Sequence, residues 1–222
     1  MASIRDWYAA QTIPVEFFLS DLLTLIEQSG EALEGNSFYY HQSTNRFTEL
    51  HSKQLNLIWA GSTVKTRICE IGFNAGHSAL LFCLPNQGKE IDFTIFDLCE
   101  HKYTKPCFNY LKEKFPSVKF ELIDGDSLVS IPKFVVDRPE VVGTYDVVHV
   151  DGGHTEECAY NDFIQAFKLV REGGLIIVDD TNISYIDALC EKAIASGKFK
   201  EVRCLPTVGY QHRILQRIQG VI

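Results

Sequence analysis

The sequence has no long apolar run and no excess of basic residues. No stretch approaches the roughly 18 apolar residues of a membrane-spanning helix, and the first seven residues, MASIRDW, lack the apolar centre of a signal peptide. We therefore expect a soluble, cytoplasmic protein with no membrane partner. Lys and Arg number 21 against 29 Asp and Glu, a net charge of −8, which argues against nucleic-acid binding because phosphate contacts need clustered cations.

The cysteines lack the spacing of a disulfide framework or a zinc site. They lie at positions 69, 83, 99, 107, 158, 190 and 204, with no Cys-x-x-Cys pair and an odd total. This pattern favours reduced, partly buried thiols. The chain also has no internal repeat and no low-complexity linker, and its 222 residues suffice for one domain with a small appendage.

A strand, a glycine turn and a helix are predicted between residues 67 and 84. Residues 68–71 form a short apolar run that includes Glu70, and the apolar residues 79–84 end at Pro85. Gly72 and Gly76 permit unusual backbone angles and the close approach of a ligand to the main chain. A dinucleotide site would need Gly-x-Gly-x-x-Gly, but Asn74 replaces the second glycine. The alternative is a tight structural turn with a solvated Glu70.

An acid two residues before a Gly-x-x-x-Gly turn resembles motif I of the class I S-adenosylmethionine (SAM) methyltransferases. SAM carries a sulfonium and an ammonium, so a carboxylate beside the turn attracts it. The resemblance implies that the cofactor contacts eight residues of this segment: Glu70, Gly72, Phe73, Asn74, Ala75, Gly76, His77 and Ser78.

Two further strands are predicted to end in acids that serve the same cofactor. Residues 91–97 alternate into a strand that ends at Asp97, which the resemblance implies binds the ribose hydroxyls, with Leu98 beside it. Residues 119–123 form a third strand before an acidic turn. The resemblance implies that Asp126 reaches the adenine amine and that Ser127 lies next to it; a plain reverse turn is the alternative.

The second half of the chain repeats the pattern of a strand closed by acids. A buried strand at 145–150 precedes Asp151, and a second at 175–178 precedes Asp179 and Asp180. Between them, Thr155 is predicted to cap a helix whose apolar face reaches Val170 and which Gly173-Gly174 ends. Residues 199–204 and 213–217 are predicted to form a terminal strand pair. The alternation predicts an α/β fold with a doubly wound, mostly parallel seven-stranded sheet, in which ligands gather at the carboxyl ends of the strands.

The segments DGGH at 151–154 and VDDTN at 178–182 resemble the metal-dependent small-molecule O-methyltransferases of the catechol, caffeoyl-CoA and macrolide-sugar types. The resemblance implies that Asp151, Asp179 and Asp180 hold Mg²⁺, whose preferred ligands are hard oxygens, and that Asp151 also contacts SAM. His154 stands where the catechol type has a lysine base, so catalysis is assigned to His154 together with Asp151. The alternatives are that His154 caps the helix or binds Asp151, and that no metal is used, as in a looser group of bacterial and viral methyltransferases.

We divide the chain into a helical N-terminal extension or lid at 1–66 and a SAM-binding methyltransferase domain at 67–222. The predicted function is SAM-dependent methylation of a small-molecule hydroxyl, on a sugar or a vicinal, catechol-like diol, with Mg²⁺ as a second cofactor. Loops 35–46 and 205–212 are expected to choose the acceptor. The alternatives are a metal-free methyltransferase acting on RNA or protein and a non-catalytic SAM-binding scaffold subunit; a homodimer is left open.

Overall fold

A computed structural model describes residues 15–35, 49–202 and 212–218, except for the side chains of residues 49–52. The strands are β1 Arg67–Ile71, β2 Ile91–Asp97, β3 Val118–Asp124, β4 Tyr145–Val150, β5 Val170–Val178, β6 Phe199–Glu201 and β7 Arg213–Arg217. The α-helices of these ranges are α1 Val15–Ser29, α2 Glu49–Ser62, α3 His77–Cys83, α4 Thr104–Lys114, α5 Ser127–Asp137, α6 Glu156–Leu169 and α7 Ser184–Ala195.

The strands form one seven-stranded sheet in the order β3-β2-β1-β4-β5-β7-β6. The first five strands of that order run parallel, whereas β7 is antiparallel to both of its neighbours. This confirms the predicted doubly wound, mostly parallel α/β fold. Backbone hydrogen bonds continue past the strand ends, from Gly72 N–H to Phe96 O at 2.8 Å and from Asp151 N–H to Ile71 O at 2.9 Å. The loops after β1, β2 and β4 are therefore held against one another.

Helices cover both faces of the sheet. One buried apolar cluster includes residues of α1 to α4, and the other includes residues of α5 to α7. Leu22 of α1 and Ile58 of α2 belong to the same cluster as Ile68 of β1, so the described part of 1–66 shares the core of the sheet. Residues 36–48 and 203–211, which carry most of the two predicted acceptor loops, lie outside the described residues. Within the described ranges, no helix has both the length and the hydropathy needed to cross a membrane.

The predicted end of the helix after β4 is wrong. The helix α6 stops at Leu169, and Val170 already belongs to β5, where it pairs with Tyr145 of β4. Gly173, at φ +75°, lies inside the strand, and the register shifts between Tyr145 and Val147. The glycine pair thus lets β5 bulge away from β4 after Val170 and pair with it again from Leu175. Val170 is β-branched and fully buried, which favours its place in the strand over one more helical residue.

Candidate active site

Two adjoining cavities open at the carboxyl edge of the central strands, each of about 290 Å³. We call the first the acidic cavity because Asp151, Asp179 and Asp180 line it together with Lys53 and His154. The second, the β2–β3 cavity, lies over the ends of the strands for which it is named. The two share five lining residues: Glu34, Gly72, Asn74, Asp151 and Gly152. An extended ligand can therefore pass from one cavity to the other.

The cavities bring together all but two of the residues predicted to bind the cofactor. The acidic cavity is lined by Gly72, Phe73, Asn74, Ala75, His77, Ser78 and Asp151. The β2–β3 cavity is lined by Asp97, Leu98, Asp126 and Ser127, and again by Gly72, Asn74 and Asp151. The two that line neither cavity are Glu70 and Gly76.

The two glycines of the turn fit against neighbouring protein. Gly72 has φ +89°, and a Cβ there would lie 1.9 Å from the carbonyl oxygen of Asp151. Gly76 has φ +78°, and a Cβ there would lie 2.5 Å from the ring of Phe73. The close approach expected at Gly72 is thus made by the loop after β4, and a larger residue at either position would first disturb the packing of the turn.

Asp97 fixes the glycine turn to the end of β2. Its Oδ2 accepts hydrogen bonds from the backbone N–H groups of Phe73 at 2.8 Å and Asn74 at 2.9 Å, and its Oδ1 accepts from Cys99 N–H at 2.6 Å. Each carboxylate oxygen can accept more than one hydrogen bond. The predicted ribose contact is therefore compatible with this role, and loss of Asp97 would loosen the turn as well.

The acidic turn after β3 is the start of a helix. The side chain of Asp126 caps α5 by accepting a hydrogen bond from Leu128 N–H at 2.9 Å. The side chain is exposed and lines the β2–β3 cavity, so the capping carboxylate stays within reach of a ligand there. The predicted alternative of a plain reverse turn at Asp126 is therefore replaced by a helix cap.

Glu70 lies beneath the cavities. It is fully buried, and its Oε1 lies 2.9 Å from Nδ1 of His149, its register partner on β4, which is equally buried. Burial by itself lowers the pKa of His149, but the hydrogen bond with Glu70 and the charges of Asp151 and Glu70 outweigh burial and raise it. The alternative of a solvated Glu70 is wrong, and this carboxylate serves first as the buried partner of an imidazole.

A lysine from the N-terminal region enters the acidic cavity. Lys53 of α2 is 4% exposed and forms a salt bridge with Asp179, which is 6% exposed. Burial alone would raise the pKa of Asp179, but the charges of Lys53 and His149 outweigh it and lower the pKa. The pKa of Asp151 is raised, by burial and then by the charge of Asp179. Of these two neighbouring acids, Asp179 thus carries the more stable negative charge.

His154 forms an ion pair at the rim of the acidic cavity. Its Nε2 lies 2.7 Å from Oδ2 of Asp180, and the histidine side chain is 60% exposed. The hydrogen bond with Asp180 raises the pKa of His154. The cap of α6 is Thr155, whose hydroxyl accepts from Cys158 N–H at 3.1 Å, as predicted. Neither structural alternative for His154 therefore holds, since it neither caps the helix nor has Asp151 as its ion-pair partner.

The residues predicted to hold Mg²⁺ fit that ion poorly. The described residues contain two groups of three side chains whose possible ligand atoms all lie within 4.8 Å of one another. The first is His149 with Asp151 and Asp179, and the second is Asp151 with His154 and Asp180. The predicted carboxylates are thus divided between two groups that share Asp151. In the first group Asp179 already pairs with Lys53, and in the second Asp180 already pairs with His154. Both carboxylates after β5 are committed to basic side chains of the protein, and the magnesium assignment stays a prediction.

Lys53 and His149 were not predicted as site residues from the sequence. Lys53 precedes the buried Leu57 by four positions, so helical spacing places it on the apolar face of α2, which is a readable signal. His149 is a polar residue within the apolar run of β4, and Glu70 is one within β1. A polar residue inside a strand predicted to be apolar is a signal that it needs a polar partner in the core.

The chain is similar to one known protein family and to several solved structures. The family model Methyltransf_24, described as a methyltransferase domain, matches residues 69–181. No curated protein sequence matches the chain. Similar structures include an O-methyltransferase from Bacillus cereus in complex with SAH, at 18% identity and a TM-score of 0.61 over 96% of each chain.

Two other solved structures share the fold. The O-methyltransferase TomG from Streptomyces achromogenes, in complex with SAM, has 18% identity and a TM-score of 0.60 over 96% of this chain and 95% of its own. The MycE methyltransferase of the mycinamycin pathway, in complex with Mg and SAH, has 16% identity and a TM-score of 0.52 over 90% of this chain and 55% of its own.

The shared fold supports the resemblance to the class I methyltransferases, and the family match decides it. The matched segment begins in β1 and ends just after Asp180, so it contains the glycine turn and all six acids predicted at the strand ends: Glu70, Asp97, Asp126, Asp151, Asp179 and Asp180. It covers just over half of the 222 residues. The chain belongs to the Methyltransf_24 family of methyltransferase domains.

Proposed function

We propose that this protein transfers the methyl group of SAM to a hydroxyl of a small molecule. SAM binding is supported by the two adjoining cavities, which bring the glycine turn together with Asp97 and Asp126. In this proposal the adenosine part occupies the β2–β3 cavity, and the methionine part lies along the glycine turn. The methyl group then faces the acidic cavity, where the acceptor binds. The solved structures of TomG and the Bacillus cereus enzyme are complexes with SAM and SAH, which agrees with this cofactor.

The observation that carries the choice of a hydroxyl acceptor is the pair of His154 and Asp180 at the rim of the acidic cavity. A neutral imidazole that donates its Nε2–H to Asp180 has its lone pair on Nδ1. That nitrogen can take the proton of an acceptor hydroxyl. Asp180 fixes the ring and stabilises the imidazolium that results, as a carboxylate does for the histidine of a catalytic triad.

The proposed reaction is a direct displacement at the methyl carbon. The acceptor oxygen forms a bond to that carbon while the carbon–sulfur bond breaks, and the bonding electron pair passes to sulfur, which becomes a neutral thioether. The hydroxyl proton moves to Nδ1 of His154 and from there to water, since the ring is largely exposed. The residues of the site contribute by holding oxygen and methyl group in line and by accepting the proton.

A small acceptor suits the acidic cavity better than a nucleic acid does. The cavity measures about 290 Å³, and its lining includes Asp151, Asp179 and Asp180 against one lysine. A phosphate chain would be repelled there, whereas sugar or diol hydroxyls can donate hydrogen bonds to carboxylates. The absence of a nucleic-acid or membrane partner, the cytoplasmic location and a homodimer stay predictions.

The test is turnover of SAM over a panel of sugars and vicinal diols, including catechols, with RNA and a peptide mixture as further acceptors. We expect a hydroxyl compound to be methylated and His154→Gln to lower kcat by roughly 10²- to 10⁴-fold, the usual contribution of a general base. Calorimetry should show unchanged SAM affinity in this variant. Methylation of RNA or peptide alone, or full activity of His154→Gln, would contradict the proposal.

A further inference from the structure

A buried ammonium group belongs to the acid cluster of the cavity. Lys53 extends from α2 to Asp179, which follows β5, and neither side chain is more than 6% exposed. The pair connects positions that are 126 residues apart in sequence. It therefore exists only because α2 docks on the carboxyl edge of the sheet.

The docking of α2 fixes Lys53 in this place. The neighbouring Leu55, Leu57 and Ile58 are fully buried, so this stretch of the helix cannot turn its lysine to solvent. One turn further along α2, Asn56 is also fully buried, and its Nδ2 lies 3.1 Å from Nε2 of His212. His212 adjoins β7, which pairs with β5. Lys53 is thus anchored next to a second polar contact between the same helix and the same edge of the sheet.

Lys53 lies beside two carboxylates that repel each other. Asp151 and Asp179 are close enough to raise the cost of ionising both, and without a cation two such carboxylates repel each other strongly. Lys53 supplies one positive charge to this group, and it is hydrogen-bonded to Asp179 directly. A divalent ion at the same carboxylate would have to displace this ammonium or share Asp179 with it, and both are unfavourable in a buried site.

We propose that Lys53 is the resident cation of the acid cluster and occupies, at Asp179, the place that a divalent metal would take. Lys53 then acts as a positioning residue, since it holds the carboxylate of Asp179 and balances its charge. The inference rests on the proposed function only in taking the acidic cavity as the acceptor side. It implies that methyl transfer by this chain continues after chelation of divalent metals.

The test measures metal affinity and needs no acceptor. Binding of Mn²⁺ is followed by electron paramagnetic resonance in the wild type, in Lys53→Met and in Lys53→Arg. The matched control is Lys133→Met, which removes the same charge from an exposed Lys–Asp pair on α5. SAM binding by calorimetry checks that each variant is folded. The double variant Lys53→Met with Asp179→Asn removes both members of the buried pair.

We expect millimolar Mn²⁺ binding in the wild type, in Lys53→Arg and in Lys133→Met. In Lys53→Met, the unpaired carboxylate should bind Mn²⁺ about 10- to 100-fold more tightly. The double variant should lose this gain. A purely structural role for Lys53 would not increase metal affinity, and no increase in a folded Lys53→Met variant would overturn the proposal.

If Lys53→Met does not fold, metal binding and chelation of the wild-type protein still test the role of Lys53. Stoichiometric Mn²⁺ binding at micromolar concentration, or loss of methyl transfer after chelation that Mg²⁺ restores, would overturn the proposal. A failed acceptor panel would contradict the proposed function instead, and the Mn²⁺ measurements would still decide the role of Lys53.

Discussion

Replacing Glu70 with glutamine tests whether the acid of the glycine motif is first a structural group. The change keeps the shape of the side chain and an oxygen that can accept from His149, but it removes the negative charge. Both groups are fully buried and 2.9 Å apart, so solvent cannot replace the lost charge. A hydrogen bond to a charged partner contributes about 1.5–3 kcal/mol, which is the expected loss in the free energy of unfolding.

The loss converts to a change in melting temperature. For a chain of this size, 1 kcal/mol corresponds to roughly 2–4 °C, so Glu70→Gln should lower Tm by about 3–12 °C. Urea unfolding of the protein without cofactor should show a lower midpoint with an unchanged slope. The matched control is Glu121→Gln on β3, which breaks a two-bond pair with Arg138 whose side chains are both more than 40% exposed. That change should cost less than about 1 kcal/mol.

The outcome that would refute this reasoning is a Glu70→Gln variant no less stable than Glu121→Gln. A further check replaces Glu70 and His149 together with leucine. Because neither charge is then left buried without a partner, the double variant should be more stable than a variant with only one of the two replaced.

Three further predictions concern the turn and the rim of the site. Asp97→Ala removes the acceptor of three backbone hydrogen bonds that hold the glycine turn, so it should weaken SAM binding by about 10- to 100-fold in calorimetry. Unchanged affinity would contradict the assignment of Asp97 to the SAM site. Because Asp180 raises the pKa of His154, Asp180→Asn should lower that pKa, so the acid limb of the pH profile of turnover should move to lower pH; a limb that stays in place would exclude His154 as the base. Gly72→Ala should destabilise the fold in urea unfolding far more than Gly88→Ala, because both glycines have positive φ but a Cβ meets no atom within 4 Å at Gly88; equal losses would contradict the packing account of the turn.

The parts of the fold that local patterns specify were predictable. The strand, turn and helix around Gly72 and the acids that close β2, β4 and β5 follow from apolar periodicity and turn residues over short windows. Because parallel strands end at one edge, the sequence also predicted that Asp97, Asp151 and Asp179 would come together. The end of α6 was not predictable in the same way, since the pairing of Val170 with β4 outweighed the glycine signal after it.

The pairs that define the chemistry of the site depend on tertiary structure. Lys53 meets Asp179 only after α2 has docked, and Glu70 meets His149 only through the register of β1 against β4. Local patterns did not single out Lys53 or His149, and for Glu70 they indicated a solvated or ligand-facing side chain. Packing between segments that are far apart in sequence decides which charges pair, so no local pattern predicts these two pairs.

The position of β7 has a consequence for the order in which the sheet can assemble. This strand lies between β5 and β6, and β6 pairs with no other described strand. During synthesis, β5 therefore keeps one open, apolar edge until Arg213–Arg217 has left the ribosome. The five parallel strands can associate earlier, but β6 has nothing to pair with at that stage. Completion of the sheet is then a late event, and the interval before it is when β5 is most exposed to pairing with another chain.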